Sequence, residues 1–375
     1  MRLGLAFVLP ALLWAPGAFA GDSGLHVIDT VKIGGDGGWD YVTYDPISRK
    51  AFVAHDSHIV SVSLDTRAVN ARLADVAGAH IALPLGDGKT LLVTQGAAGK
   101  ASFIDEKTGA DLSDVPTGSR PDGAIFDPAT GKAFVLANGG HQINVIDPAT
   151  HGAVGTIALD GAPESGAADG KGLLYTHLED KKAIVVIDTR TLTVKATYPI
   201  DDCDHPTGLA VIDDQNLLLS ACGGGIARIS RTSDGSEVTT VAVGQRPDGA
   251  LYDRTRKLGY VPSGDGKLTV ISFAGKPAVV DVISTVASAR TAALDPVTGH
   301  VFLPAADMAP MDPNAGPPPG GPQGPQPMGP PPADMGGGPP PGGDMGPPPG
   351  GAMGPPPGGF PQSLPNTFRL VVVGK

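Results

Sequence analysis

The chain has 375 residues, with 38 acidic side chains against 27 Lys and Arg and a formal net charge of −11. A surface so acidic, with no Lys/Arg cluster to interrupt it, repels phosphate backbones and argues against a nucleic-acid partner, while metal ions or positively charged partners fit it better. Beyond the first twenty residues no segment carries 18 uninterrupted apolar residues, so no transmembrane helix is expected.

Residues 1–20 read as a secretory signal peptide. Arg2 supplies the positive n-region, Leu3 to Trp14 the apolar stretch, and Ala18-Phe19-Ala20 the small-x-small cleavage site. A retained N-terminal anchor is the alternative. Cleavage after Ala20 predicts a periplasmic or secreted protein. Residues 21–306 are then punctuated by a unit of about 42 residues. Its turn acid recurs at Asp45, Asp87, Asp127, Asp169, Asp213, Asp253 and Asp295.

In the third unit the strand-like runs are Ala124–Phe126, Ala133–Ala137, Gln142–Ile146 and Ala153–Leu159. Asp127-Pro-Ala-Thr-Gly-Lys132, Asn138-Gly139-Gly140 and Asp147-Pro-Ala-Thr are the turns between them. No stretch shows a convincing 3.6-residue period of helical length. A repeat of this length with four short strands predicts an all-β, seven-bladed β-propeller.

Cys203 and Cys222 fall in the fifth unit, before its first strand and at the end of its second. An antiparallel hairpin would bring both thiols to one rim, and an oxidising compartment then favours a disulfide. Two buried free thiols or a soft-metal pair are the alternatives. The last unit is split. Thr291–Leu294 and Val301–Leu303 supply its first two strands, and Phe368–Val373, within the closing segment 366–375, supplies the third. The spare N-terminal run His26–Ile33 is predicted to complete that blade and so tie the two ends together.

Between the halves of the last unit, residues 307–365 are rich in Pro and Gly without a Gly-X-Y register, and are expected to be disordered and partly polyproline II. All methionines but the initiator lie in this insert: Met308, Met311, Met328, Met335, Met345 and Met353. Thioethers are soft ligands suited to Cu(I), so copper handling is one possible role, set against compositional drift in a tract free of packing constraints.

The second strand of most units ends in a four-residue pattern: Phe52-Val-Ala-His55, Leu92-Val-Thr-Gln95, Leu174-Tyr-Thr-His177, Leu219-Ser-Ala-Cys222 and Tyr260-Val-Pro-Ser263, with Phe134-Val-Leu-Ala137 followed by Asn138. With Val145-Ile-Asp-Pro-Ala-Thr150 and Val186-Ile-Asp-Thr-Arg-Thr191, this resembles the YVTN-repeat family of propellers, in particular its exported YncE-like members. Gly34-Gly-Asp-Gly-Gly-Trp-Asp40, Cys203-Asp-His-Pro-Thr-Gly-Leu-Ala210 and Ala289-Arg-Thr-Ala-Ala-Leu-Asp295 add to the match. The resemblance implies a fold and transfers no set of site residues.

Propellers work mostly at one end of the central channel. The loops leading into the inner strands place His80, Asp122, Glu164, Pro206, Asp248 and Arg290 at one uniform spacing, with Asp40 as the first-blade equivalent. His55, Gln95, Asn138, His177, Cys222 and Ser263 are expected on the same face, because antiparallel neighbours set the start of one strand beside the end of the next. His205 lies in the loop before Pro206. Titratable groups converging on a concave mouth form a candidate site, although Asp before Gly is also a routine turn residue.

The leading expectation is a non-catalytic binding protein that takes a small molecule, peptide or protein partner at the mouth. There Arg290 would offer a contact to a carboxylate and the acids would grip a cationic group. The alternative is a metal-assisted lactonase or lyase. In it Glu164 with His177 or His205 would hold a divalent metal, and His80 would act as general base or acid. No His-x-x-x-His or His-Glu-x-x-His supports that set. A lone Trp39 after the signal segment speaks against a quinoprotein, and Cys-x-x-Cys-His, Gly-x-Ser-x-Gly and phosphate-loop motifs are missing from the sequence.

Overall fold

The computed structural model of the protein describes residues 23–310 and 362–375. The signal segment 1–20, and Met311, Met328, Met335, Met345 and Met353 of the insert, lie outside the described residues. Among the described residues, seven four-stranded antiparallel sheets form the seven blades of a β-propeller. The helical content there is three short 3-10 turns, Gly96–Ala98, Asn138–Gly140 and Glu179–Lys181. No helix among these residues is long and apolar enough to cross a membrane.

Blade 3 shows the unit: Pro121–Asp127, Lys132–Ala137, Gln142–Asp147 and Gly152–Ala158, paired in that order. Its second strand is buried from Ala133 onward, on both faces of the sheet, whereas its outer strand exposes most of its residues. Neighbouring blades cover both faces of the middle strands, so these read as continuous apolar runs rather than strict alternation. Phe52, Phe103, Phe134 and Phe302 are fully enclosed there, each contributing about 1.5–3 kcal/mol by leaving water.

The recurring turn acid is explained by the backbone it serves. Asp45 accepts from the amides of Ile47 and Ser48, Asp127 from Ala129, and Asp295 from Val297. All three are buried. A carboxylate that caps amides two or three residues on fixes the first hairpin of these blades, which is why the acid recurs there.

Blade 7 is assembled from both ends of the chain. Ala293–Leu294, Val301–Ala305 and Arg369–Gly374 are completed by His26–Lys32, which pairs antiparallel with Arg369–Gly374 from His26↔Gly374 to Lys32↔Arg369. By its contacts the chain divides into two units, one ending at Asp307 and resuming at Ser363, the other the residues between. In blade 5, Cys203 and Cys222 are joined by a disulfide across a Cα–Cα distance of 5.1 Å, which removes the free-thiol and soft-metal readings of that pair. Near the axis the inner strands approach closely: a Cβ on Gly208 would meet the Gly249 carbonyl carbon at 2.3 Å, so only glycine fits.

Candidate functional site

The loops leading into the inner strands are pinned by hydrogen bonds between blades, each accepted by a backbone carbonyl. The Tyr41 amide donates to the His80 carbonyl (3.1 Å), and the Thr94 hydroxyl donates to the Asp122 carbonyl (2.6 Å). Thr207 donates to the Pro247 carbonyl (2.8 Å), and Thr291 to that of Asp40 (3.0 Å). Rigid loops of this kind hold side chains in fixed geometry.

The side chains they carry come together in pairs and triplets. His80 Nδ1 lies 2.8 Å from Asp40 Oδ2 and 3.2 Å from Asp122 Oδ1. Asn138 Nδ2 donates to Glu164 Oε2 at 3.2 Å. Arg290 Nε donates to Asp248 Oδ2 at 2.6 Å. Asp40, His80, Asp122, Glu164, Asp248 and Arg290 thus come from six blades, and blade 5 contributes the uncharged Thr207. Residues in or just before the inner strands of all seven blades line a cavity of about 150 Å³, among them Tyr41, Ile81, Ile125, Ser165, Thr207 and Asp248.

The electrostatics follow from carboxylates outnumbering cations in a half-buried setting. Burial raises the Glu164 carboxyl, and the neighbouring Asp122, Glu179 and Asp248 raise it further. Burial and Asp40 raise Asp122. Asp248 is pushed up to about 7 by burial, with Arg290 pulling the other way. His80 is raised because Asp40 bonds its ring, against the opposing effect of burial. Tyr41 is held well above the ordinary phenol value by burial and then by Asp122, Glu164, Asp248 and Asp40. Each shift states that added negative charge is unwelcome here and that a cation would be welcome.

The other sequence candidates sit elsewhere. His177 is fully buried, with Nδ1 3.2 Å from Ser165 Oγ and Nε2 2.9 Å from Ser220 Oγ, and burial lowers it to about 3. Leu178, not His177, ends the second strand of blade 4, opposite Pro163 as Ala137 is opposite Pro121. His177 is therefore one place early in register and takes the other face of the strand. The residue matching Asn138 is Glu179: the Asn138 amide donates to the Arg120 carbonyl and the Glu179 amide to the Ala162 carbonyl.

His55 ends its strand as expected but is 1% exposed, packed edge-on against Phe368 and beside His58, and lowered by burial. His205 is exposed in a left-handed conformation (φ 44°). Met308 is the one insert methionine among the described residues and is half-buried. The sequence reading missed Tyr41, whose aromatic ring before a strand looks like a core residue, and Glu179, hidden by the register slip. The Trp39-Asp40-Tyr41 run preceding the first inner strand was the available signal for Tyr41.

No family model and no curated protein matches the sequence. The fold is similar to a chain in the crystal structure of the mitotic checkpoint complex, with TM-score 0.65 and 17% identity over 80% of this chain and 96% of that one. It is also similar to U3-55K, with TM-score 0.63 and 12% identity over 74% and 90% of the two chains. A third likeness is to hydrazine synthase of Kuenenia stuttgartiensis, with TM-score 0.58 and 15% identity over 77% and 95%. At such low identity these likenesses concern the fold alone, a β-propeller.

Proposed function

We propose that the protein is an exported, non-catalytic binding propeller of the YVTN-repeat, YncE-like kind, which takes the cationic group of a small molecule, peptide or protein partner at the channel mouth. The observation that carries this reading is the ring itself. Asp40, Asp122, Glu164 and Asp248 converge with Arg290 and His80, with Glu179 and Arg120 close enough to act on them, and Asp122, Glu164 and Asp248 are raised by burial and by one another. An ammonium or guanidinium entering the ring would relieve that repulsion, and the apolar part of the cavity wall would receive the rest of a small ligand. The buried disulfide supports export, since such bonds persist in oxidising compartments.

The test is a titration calorimetry screen of diamines, guanidino compounds and Lys/Arg-rich peptides against the wild type and Glu164→Gln. Saturable binding that weakens at least tenfold in the variant supports the reading. Failure of every cationic ligand, or binding indifferent to Glu164, sinks it. The metal-assisted lactonase or lyase reading draws less support, because His177 is buried and committed to Ser165 and Ser220. Copper capture by the methionines is a separate proposal, and deleting residues 311–361 would test it by abolishing Cu(I) binding while the blades stay folded.

A further inference from the structure

We propose that Asp40, His80 and Asp122 form a binding site for one borderline divalent cation of the first transition row, between manganese and zinc. This goes beyond the recognition role above and needs neither Glu164 nor Asp248. One ligand atom from each of the three side chains lies within 4.8 Å of the others. Around an octahedral ion with bonds of about 2.1 Å, adjacent ligands stand roughly 3.0 Å apart. The two distances from His80 Nδ1, 2.8 Å and 3.2 Å, bracket that spacing.

A second observation concerns the proton. A single proton on Nδ1 serves one carboxylate at a time, and the hydrogen bond goes to Asp40. Asp122 Oδ1, shielded from solvent on a side chain 19% exposed, has the 3.2 Å ion-pair contact with His80 Nδ1 but no hydrogen bond. A buried carboxylate oxygen left without a donor is costly, and a cation shared by all three side chains would satisfy it.

The ligands are also held in place from behind. The Nε2 edge of His80 packs over Gly96, where a Cβ would stand 2.6 Å away, so the ring sits in a slot that only glycine leaves open. The Asp40 and Asp122 carbonyls are fixed by the Thr291 and Thr94 hydroxyls. Supports of this kind set ligand orientation in metal sites. The donor chemistry selects the metal class. Two carboxylates suit hard ions and an imidazole suits zinc, iron or nickel, so the overlap lies in the borderline divalent ions rather than in Ca²⁺, Mg²⁺ or Cu(I).

The probe is Mn²⁺, which thioethers do not hold, so the methionines do not compete for it. The experiment is electron paramagnetic resonance titration of the whole mature chain, with pulsed detection of nitrogen coupled to the bound ion. One saturable Mn²⁺ per chain with imidazole nitrogen coupling is expected. His80→Gln should abolish the coupling, and His80→Gln and Asp122→Asn should each weaken binding at least tenfold.

Lack of saturable binding, bound Mn²⁺ without nitrogen coupling, or affinity unchanged in both ligand variants would overturn the proposal. The wild-type spectrum decides the matter if a variant fails to fold. Cationic organic ligands that bind where Mn²⁺ does not would leave the recognition reading standing and this one refuted; the reverse result would do the opposite.

Discussion

The rim where His80 sits and the seam between blades 4 and 5 where His177 sits treat the same side chain in opposite ways. At the rim, His80 is half-exposed between two carboxylates and is raised, so it favours its charged form. In the seam, His177 is enclosed with a serine hydroxyl on each ring nitrogen and is lowered to about 3. The seam also holds Cys203, Cys222, Tyr175, Ile184 and Leu218 in one apolar cluster. A fully partnered, dry histidine is a structural element, whereas one facing uncompensated acids remains available to a ligand.

That contrast can be broken from either side. The largest effect is expected in the seam. Replacing both Cys203 and Cys222 with serine should cost about 3 kcal/mol in the chain-entropy account, read by urea denaturation, with binding at the mouth unchanged. Loss of mouth binding along with stability would show the two regions to be one. Acid comes next. Because the folded-state value of His177 lies below its ordinary 6.5, its contribution is intact above pH 6.5 and is lost as pH falls toward about 3. By pH 4.5 this amounts to about 2–3 kcal/mol. A His177→Gln variant should show a correspondingly flatter fall in urea midpoint across that range.

The rim should respond with the opposite sign. Glu164 is raised on folding, so its contribution is present below the ordinary Glu range and is lost as pH rises. Glu164→Gln should therefore stabilise the protein at pH 8, by about 1 kcal/mol after allowing for solvent, and do little at pH 4. A midpoint lowered at pH 8 would contradict the frustrated ring. The smallest effect concerns Arg290, whose side chain is 43% exposed in its pair with Asp248. Arg290→Gln should change stability by less than about 1 kcal/mol and tighten a cationic ligand about two- to fivefold, since one repelling charge leaves the ring. Calorimetry on the same ligand series measures it.

The architecture was legible because its signals are local and repeated. Asp45, Asp127 and Asp295 each cap their own turn, and His26–Lys32 carries a strand pattern that lacks a sheet until the last blade supplies one. The grouping of side chains at the candidate site was legible only where loop position suffices, as for Asp122, Glu164, Asp248 and Arg290. It failed where side-chain direction matters. A single residue of register separates His177 from the rim, because alternate residues of a strand face opposite sides, and the 3-10 turn that restores the register begins at Glu179. Spacing along a chain carries no mark of such a slip. Burial is equally silent in sequence: His55 sits at the expected strand end and is nonetheless walled in by Phe368, a residue from the far end of the chain.

The pairing of His26–Lys32 with Arg369–Gly374 also sets an order of events during folding. Blades 1 to 6 are each made from contiguous sequence and can form as they emerge. The seventh has to wait until its third strand, Arg369–Gly374, is in place, and until then the first strand lacks its hydrogen-bonding neighbour and the ring stays open. Contacts between such distant segments are slow to form because a long loop must be closed before they stabilise anything. The folding chain therefore passes through an open, edge-exposing stage that ends only when His26–Lys32 and Arg369–Gly374 meet.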